Sequence, residues 1–81
     1  MQPSLTLYSR AYCHLCEDML AQIESLRAEL AFGLCVLDVD ADPGLERRFG
    51  ELVPVLAHGE HELARHRLDK GLLRAYLSQF R

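Results

Sequence analysis

The sequence lacks any hydrophobic run long enough to cross a membrane. Its longest apolar stretch, residues 30–37, is far shorter than the roughly 20 residues that a membrane helix needs. The chain does not open with a basic segment followed by an apolar one, so we expect no signal peptide. Its nine Lys and Arg residues are scattered and the formal net charge is −3, which argues against a nucleic-acid partner. We therefore predict a cytoplasmic protein whose partners include neither a membrane nor a nucleic acid.

Cysteine is also scarce, with three residues in the chain. An odd number, without a signal for export, indicates thiols that serve chemistry or metal binding rather than structural disulfides. Cys13 and Cys16 have the C-x-x-C spacing, and no second C-x-x-C supplies the further ligands of a structural zinc site. The pair therefore favours redox chemistry, with no metal site expected. Cys35 lies in a predicted strand, where we expect it to be buried.

What the chain does contain is enough for one domain, residues 1–81. Hydrophobic residues make up 49% of it and charged residues 26%, which is typical of a soluble globular protein. The hydrophobic periodicity predicts the order β-α-β-α-β-β-α. Strands are expected at 5–9, 34–39, 53–57 and 62–67, and helices at 14–30, at 45–49 and after Asp69, which we expect to cap the last helix.

These elements predict an α/β fold. The first strand, helix and strand imply two parallel strands joined by a right-handed crossover, and the terminal hairpin adds antiparallel strands. The result is a four-stranded mixed sheet with helices on both faces, in which the second strand is expected to be buried on both sides. His58, His61 and His66 are expected to be solvated turn and edge residues. The apolar residues expected in the core from the last helix are Leu72, Leu73, Leu77 and Phe80.

The cysteine pair falls where the first predicted strand meets the first predicted helix. Residues three apart lie on one face of a helix, at a separation compatible with a disulfide. Free N–H groups and the positive dipole end of the helix favour the ionised form of the cysteine nearest the terminus, which is the form that attacks disulfides. We therefore predict that Cys13 is the nucleophile and that Cys16 resolves the mixed disulfide. Arg10 and a protonated His14 would add positive charge near the sulfur.

Residues 8–16, Tyr-Ser-Arg-Ala-Tyr-Cys-His-Leu-Cys, resemble the active-site segment of glutaredoxins, basic-x-Tyr-Cys-Pro-Tyr-Cys. The similarity continues through residues 38–43 and the Val-Pro-Val-Leu of residues 53–56, and it is greatest to the short bacterial glutaredoxin-like family. The resemblance implies a thioredoxin-like fold with a cis Val53–Pro54 bond facing the cysteines. The Val53 backbone would then pair with an extended substrate. Tyr12 is expected either to gate access to Cys13 or to pack against the sheet.

The chain departs from glutaredoxins at three places. His14 and Leu15 replace the proline and tyrosine between the cysteines, Leu52 replaces the threonine before Val-Pro, and Ala64-Arg65 stand near the place of the glycine pair that helps hold glutathione. Residues 67–70, Arg-Leu-Asp-Lys, are instead similar to the Phe-Arg-Pro-Asp-Lys pattern of redoxins that serve ribonucleotide reductase and take electrons from thioredoxin reductase. Two electron donors therefore stay open, glutathione and thioredoxin reductase. Candidate contacts for glutathione or an acidic partner are Arg65, Arg67 and Asp69.

The predicted function is that of a thiol–disulfide oxidoreductase and electron carrier. It would reduce a protein disulfide or a glutathione mixed disulfide, and its dithiol cycle requires no cofactor. Two alternatives remain. One is a metal or iron–sulfur carrier that uses Cys13 and Cys16 at a dimer interface, and the other is an interaction module that keeps the fold without turnover.

Overall fold

Four β-strands and three α-helices form the protein in a computed structural model, which describes residues 2–80. The strands are β1 (Ser4–Ser9), β2 (Gly33–Asp38), β3 (Val55–His58) and β4 (His61–Arg65), and the helices are α1 (His14–Leu26), α2 (Pro43–Phe49) and α3 (Lys70–Leu77). Short 3-10 turns occupy Val39–Ala41 and Ser78–Phe80. The element order is the predicted one, although the first helix ends four residues earlier than the periodicity indicates. No helix within residues 2–80 has the length and apolar character needed to cross a membrane.

The strands form one mixed sheet in the order β2-β1-β3-β4. β1 and β2 are parallel, with Ser4 opposite Gly33, whereas β1–β3 and β3–β4 are antiparallel. The expected crossover and terminal hairpin are both present. The α/β fold predicted from the sequence, a four-stranded mixed sheet, is confirmed.

The hydrophobic core lies between one face of this sheet and the pair α1 and α3. Because side chains alternate along a strand, Leu5 and Leu7 of β1 both point to this face, and both are fully buried. On the opposite face, the ring of Tyr8 stacks on Phe49 of α2 with 4.1 Å between the ring centroids. Helices therefore cover both faces, as predicted. The core cluster comprises Leu5, Leu7, Met19, Ile23, Leu26, Phe32, Leu56, Leu73 and Leu77.

Side-chain caps fix where the helices begin. Asp69 precedes α3 and its Oδ1 accepts the N–H of Leu72 at 3.1 Å, which confirms the predicted cap. Asp42 does the same for α2, whose first residue is Pro43. Proline suits that position because its fixed φ matches the helix and the missing N–H would have had no partner.

The expectation that the second strand is buried on both faces is wrong. β2 lies at an edge of the sheet, and Cys35, Val36 and Leu37 are exposed. An apolar run of strand length looks alike in a central and an edge strand, because the pattern does not report which neighbours pair with it. The predicted burial of Cys35 fails for the same reason.

Two other burial predictions are also wrong. Leu72 is 71% exposed, because the eight-residue helix α3 turns only a narrow side toward the sheet, occupied by Leu73 and Leu77. His58 is half-buried rather than solvated, and its Nδ1 lies 2.6 Å from the hydroxyl of Tyr76. His61 is exposed, as predicted, and its ring stacks on the ring of Tyr76.

Candidate functional site

The cysteine pair lies at the first turn of α1. Cys13 is the N-cap residue and adopts an extended backbone, while Cys16 lies one turn inside the helix. Their Cα atoms are 5.2 Å apart and their sulfurs lie at disulfide-bonding distance. The Cys16 N–H donates a hydrogen bond to Cys13 Sγ at 3.2 Å. The predicted placement of the pair at a strand-to-helix junction is thus confirmed.

The two cysteines differ in how much solvent reaches them. Cys13 is half-buried, whereas Cys16 is only 2% exposed. A substrate sulfur approaching from solvent therefore meets Cys13 first. The negative charge of a thiolate at Cys13 would also be stabilised by the Cys16 N–H and by the positive end of α1. The arrangement divides the pair into an accessible attacking sulfur and a shielded one behind it.

Arg10 lies at the end of β1, but its guanidinium is committed to other partners. Nε and Nη2 donate to the two carboxylate oxygens of Asp40 at 2.9–3.2 Å, and Nη1 donates to the Gly50 carbonyl at 2.9 Å. The hydrogen bond to Asp40 raises the pKa of Arg10 above its ordinary value. Sequence reasoning missed Asp40 because 30 residues separate it from Arg10. Arg10 is predicted to add positive charge near the Cys13 sulfur, but in the structure that charge is already paired with the Asp40 carboxylate.

Tyr12 and His14 flank Cys13, and both side chains are exposed. Tyr12 has a φ of 57°, a left-handed conformation that residues with a Cβ rarely adopt. Its ring is fully exposed to solvent. Of the two roles considered for Tyr12, packing against the sheet is therefore wrong, and its position beside Cys13 leaves the gating role as a prediction.

Val53 and Pro54 directly precede β3. The Val53–Pro54 peptide bond is cis, as the resemblance to glutaredoxins implies. The Val53 N–H donates to the Phe49 carbonyl at 3.0 Å, so it is not available to an incoming chain in this conformation. The expected pairing of Val53 with a substrate is thus restricted to its carbonyl.

His66 is a site residue that sequence reasoning placed among solvated edge residues. Its N–H donates to the Pro54 carbonyl at 2.8 Å, and its φ of 65° is left-handed. Its side chain borders a groove of about 460 Å³ between α1 and the segment after β4, opposite Leu15, Met19 and Gln22. Glycine is the residue that most readily adopts such a φ, and because position 66 carries histidine instead, nothing in the sequence signals this conformation.

The three candidate partner contacts have different surroundings. Arg65 pairs with Glu62 at 2.9 Å, and Asp69 is occupied as the cap of α3. Arg67 borders the groove beside His66, and within residues 2–80 it forms no ion pair. Of these three residues, Arg67 is therefore the one best placed to contact a ligand. In the described part of the chain, no three His, Cys, Asp or Glu side chains are grouped as metal ligands would be.

Comparisons with known proteins agree with this geometry. Residues 4–78 match the model of a family described as glutaredoxin-like domain (DUF836). An uncharacterised protein of Mycobacterium bovis is 32% identical over 84 residues, covering 91% of this chain and 87% of the relative.

Solved structures show the same similarity. The solution structure of a Nitrosomonas europaea protein has a TM-score of 0.81 at 35% identity and covers 95% of this chain and 93% of its own. An X-ray structure from X. campestris has a TM-score of 0.74 at 33% identity, covering 93% and 96%. Thioredoxin 1 of Thermosipho africanus, at 19% identity, has a TM-score of 0.62 and covers 95% and 97%, which shows the fold alone.

Proposed function

This chain belongs to the glutaredoxin-like domain family and has the thioredoxin fold, and we propose that it is a cytoplasmic dithiol–disulfide oxidoreductase. One observation carries the proposal. The accessible sulfur of Cys13 lies at the first turn of α1, where it accepts the Cys16 N–H, and the second sulfur is shielded at bonding distance behind it. This arrangement suits a pair that alternates between a dithiol and a disulfide.

The cycle begins with both cysteines reduced. The Cys13 thiolate attacks one sulfur of the substrate disulfide, forms a mixed disulfide, and releases the other substrate sulfur as a thiolate that takes up a proton. Cys16 then loses its proton and attacks Cys13 Sγ, which releases the second substrate thiol. The substrate disulfide has gained two electrons and two protons, and the protein holds the Cys13–Cys16 disulfide.

Burial assigns the two roles. Because Cys16 is 2% exposed, an outside disulfide does not reach it, whereas the mixed disulfide on Cys13 lies within one helical turn. The negative charge on Cys13 is favoured by a backbone N–H whose position is fixed by the helix. A backbone donor of this kind keeps its position whichever side chains occupy residues 14 and 15.

The test is reduction of a disulfide by the wild-type protein, Cys13→Ser and Cys16→Ser in parallel, with a dithiol reductant supplied. We expect Cys13→Ser to abolish turnover. Cys16→Ser, reduced, freed of the reductant and then mixed with the disulfide, should accumulate a mixed disulfide that mass spectrometry detects. Cys35→Ser is the matched control, since Cys35 lies on the exposed β2 strand away from the pair. Turnover by Cys13→Ser at the wild-type rate would refute the mechanism.

Alkylation separates this function from an interaction module without turnover. With iodoacetamide at neutral pH, the reduced protein should react faster at Cys13 than at Cys35, although Cys35 is the more exposed of the two. Exposure alone predicts the opposite order. If Cys35 reacts faster, the backbone contacts at α1 do not activate Cys13, and the interaction module is the better account.

The electron donor is the second part of the proposal. We propose that reduced glutathione or thioredoxin reductase reduces the Cys13–Cys16 disulfide, and that Arg67 beside the groove contacts the donor or an acidic partner. Each donor is supplied alone and disulfide loss is followed. An Arg67→Gln variant should raise KM for the true donor with little change in kcat, and Arg65→Gln is the control because Arg65 already pairs with Glu62. Equal effects of the two variants would contradict a specific contact at Arg67.

A further inference from the structure

The two edges of the sheet are built differently. β4 carries an ion pair between Glu62 and Arg65, and its ladder with β3 is interrupted by a bulge at Leu63. Charges and bulges of this kind keep an edge strand from pairing with another chain. The β2 edge has neither device between residues 34 and 37, where the sequence is Leu-Cys-Val-Leu.

The β2 edge is also open. Within residues 2–80, β2 pairs with β1 alone, and Val36 remains 47% exposed. The Gly33 N–H donates to the Pro3 carbonyl, so the peptide groups of Gly33, Cys35 and Leu37 point toward β1. Because these directions alternate along a strand, those of residues 34, 36 and 38 point outward. An outward row of N–H and C=O groups is a template for a further strand.

We propose that β2 pairs antiparallel with β2 of a second copy of this chain, about a two-fold axis at Cys35. Such an axis places residue 34 of one chain opposite residue 36 of the other. Both have outward peptide groups, so they form two hydrogen-bonded pairs on either side of the axis. The exposed Val36 side chain then lies against Leu34 of the second copy, and the two four-stranded sheets become one sheet of eight.

The charges of the edge agree with an antiparallel partner of identical sequence. Asp38 is the one charged residue of β2, at its end, and its carboxylate is turned back to accept the Asp40 N–H at 2.9 Å. In the proposed register the two Asp38 residues are separated by six residue steps, roughly 20 Å along the strands, which exceeds the screening length of about 8 Å at physiological salt. A parallel partner would bring the two Asp38 side chains together. The apolar centre of the edge therefore meets itself while its charges stay apart.

The dimer leaves both cysteine pairs accessible. Cys13 follows the carboxyl end of β1, whereas the axis passes through the middle of β2. The antiparallel arrangement places the two Cys13 residues at opposite ends of the combined sheet. The inference is thus independent of the proposed function, and variants on β2 should retain disulfide reduction.

Cys35 provides a direct test of the register. At the axis, the two Cys35 residues form a non-hydrogen-bonded pair with Cα atoms about 4.5 Å apart, within the range of a disulfide. In a Cys13→Ser/Cys16→Ser protein, diamide should join two Cys35 thiols into a disulfide between chains, each thiol losing one proton and one electron as diamide is reduced to its hydrazine. The matched control is the same protein with Cys35→Ser and Leu72→Cys, since Leu72 is exposed on α3.

We expect cross-linking through Cys35 to be at least about tenfold faster than in the control, because pairing replaces a collision between chains by a reaction within one assembly. Equal rates would overturn the register. The reduced wild-type protein, with all its cysteines in place, is studied separately by sedimentation over a wide range of concentration.

Sedimentation should show a dimer that dissociates on dilution. Val36→Lys should weaken the dimer at least about tenfold, since it places two cations on the same face of the combined sheet, diagonally across the axis and roughly 7–8 Å apart. Leu72→Lys should leave the dimer unchanged. A monomer at every concentration would overturn the inference, and this is also the result expected if the edge instead binds a strand from another protein. An association that Val36→Lys does not weaken would overturn it too.

Discussion

His66, which borders the groove beside the cysteines, has a left-handed backbone conformation whose cost in folding free energy can be measured. With a φ of 65°, the Cβ of His66 crowds the following carbonyl, at a cost of roughly 1–2 kcal/mol that glycine does not carry. His66→Gly removes this cost but also loosens the unfolded chain, which takes back about 0.5–1 kcal/mol. His66→Ala removes the imidazole and keeps the Cβ. The His66→Gly protein should therefore be the more stable of the two variants.

The neighbouring Arg67 supplies the control that isolates the backbone effect. Arg67 is exposed and does not have a positive φ, so Arg67→Gly should be less stable than Arg67→Ala by about 0.5–1 kcal/mol. The glycine-minus-alanine difference at position 66, less that at position 67, cancels the unfolded-state contribution. What remains is the left-handed cost itself, about 1–2 kcal/mol in favour of glycine at position 66.

Thermal unfolding of the four variants measures this difference. In a domain of this size, 1 kcal/mol corresponds to roughly 4–8 °C in Tm. A matching pair of denaturant curves checks that the slope with denaturant is unchanged, so that the variants differ in stability rather than in compactness. If alanine is as good as glycine at position 66, or if both positions show the same difference, the left-handed conformation of His66 costs nothing and the reasoning fails.

The remaining predictions concern stability. Asp69→Ala removes the acceptor of the Leu72 N–H and should cost about 1 kcal/mol in urea unfolding, which an Asp69→Asn variant should largely avoid. Leu7→Ala leaves a cavity in the core and should cost about 2–5 kcal/mol, a large share of the stability of so short a chain, seen as a lowered Tm. The hydrogen bond from Arg74 lowers the pKa of Glu29, so its contribution is present above the ordinary value of 4.5 and is lost as pH falls through the lowered value. Wild type should therefore exceed Glu29→Gln in stability at neutral pH and lose that small advantage in acid, and a pH-independent difference would contradict the ion pair.

The parts of the fold that the sequence predicts correctly are those coded locally. The alternation of β1, the helical period of α1 and the Asp69 cap each depend on residues within one turn or one strand. The position of the cysteine pair follows from the same local signals, because the C-x-x-C falls where one periodicity gives way to the other. Local signals suffice for a helix terminus, and a helix terminus is the basis of this site.

The parts that the sequence does not predict depend on neighbours far along the chain. The exposure of β2 follows from its place at the edge of the sheet, which is decided by the pairing of β1 with β3. The ion pair of Arg10 with Asp40 joins residues 30 apart, and no local pattern signals it. The sequence does not predict the left-handed conformation of His66, because glycine is the residue that usually indicates such a conformation and position 66 carries a residue with a Cβ.

Backbone groups make three hydrogen bonds, at the first turn of α1 and in the segments before β3 and after β4. The Cys16 N–H reaches Cys13 Sγ, the Val53 N–H is held by Phe49, and the Pro54 carbonyl accepts the third segment. None of these contacts depends on which side chains lie between the cysteines. We therefore expect variation at residues 14 and 15 to leave the hydrogen bond from the Cys16 N–H to Cys13 Sγ in place.

The exposed side chains around the cysteine pair are the groups that a partner would meet first. If backbone groups hold the dithiol, the exposed side chains around it are free to select the partner. Tyr12 and His14 flank Cys13 in the sequence, and His66 and Arg67 border the groove that Leu15 lines on the side of α1. His14 and His66 are also among the residues at which the chain departs from glutaredoxins or takes an uncommon conformation. We therefore predict that exchanging Tyr12, His66 and Arg67 changes which of the two proposed electron donors reduces the Cys13–Cys16 disulfide, while the reactivity of Cys13 toward a small disulfide stays the same.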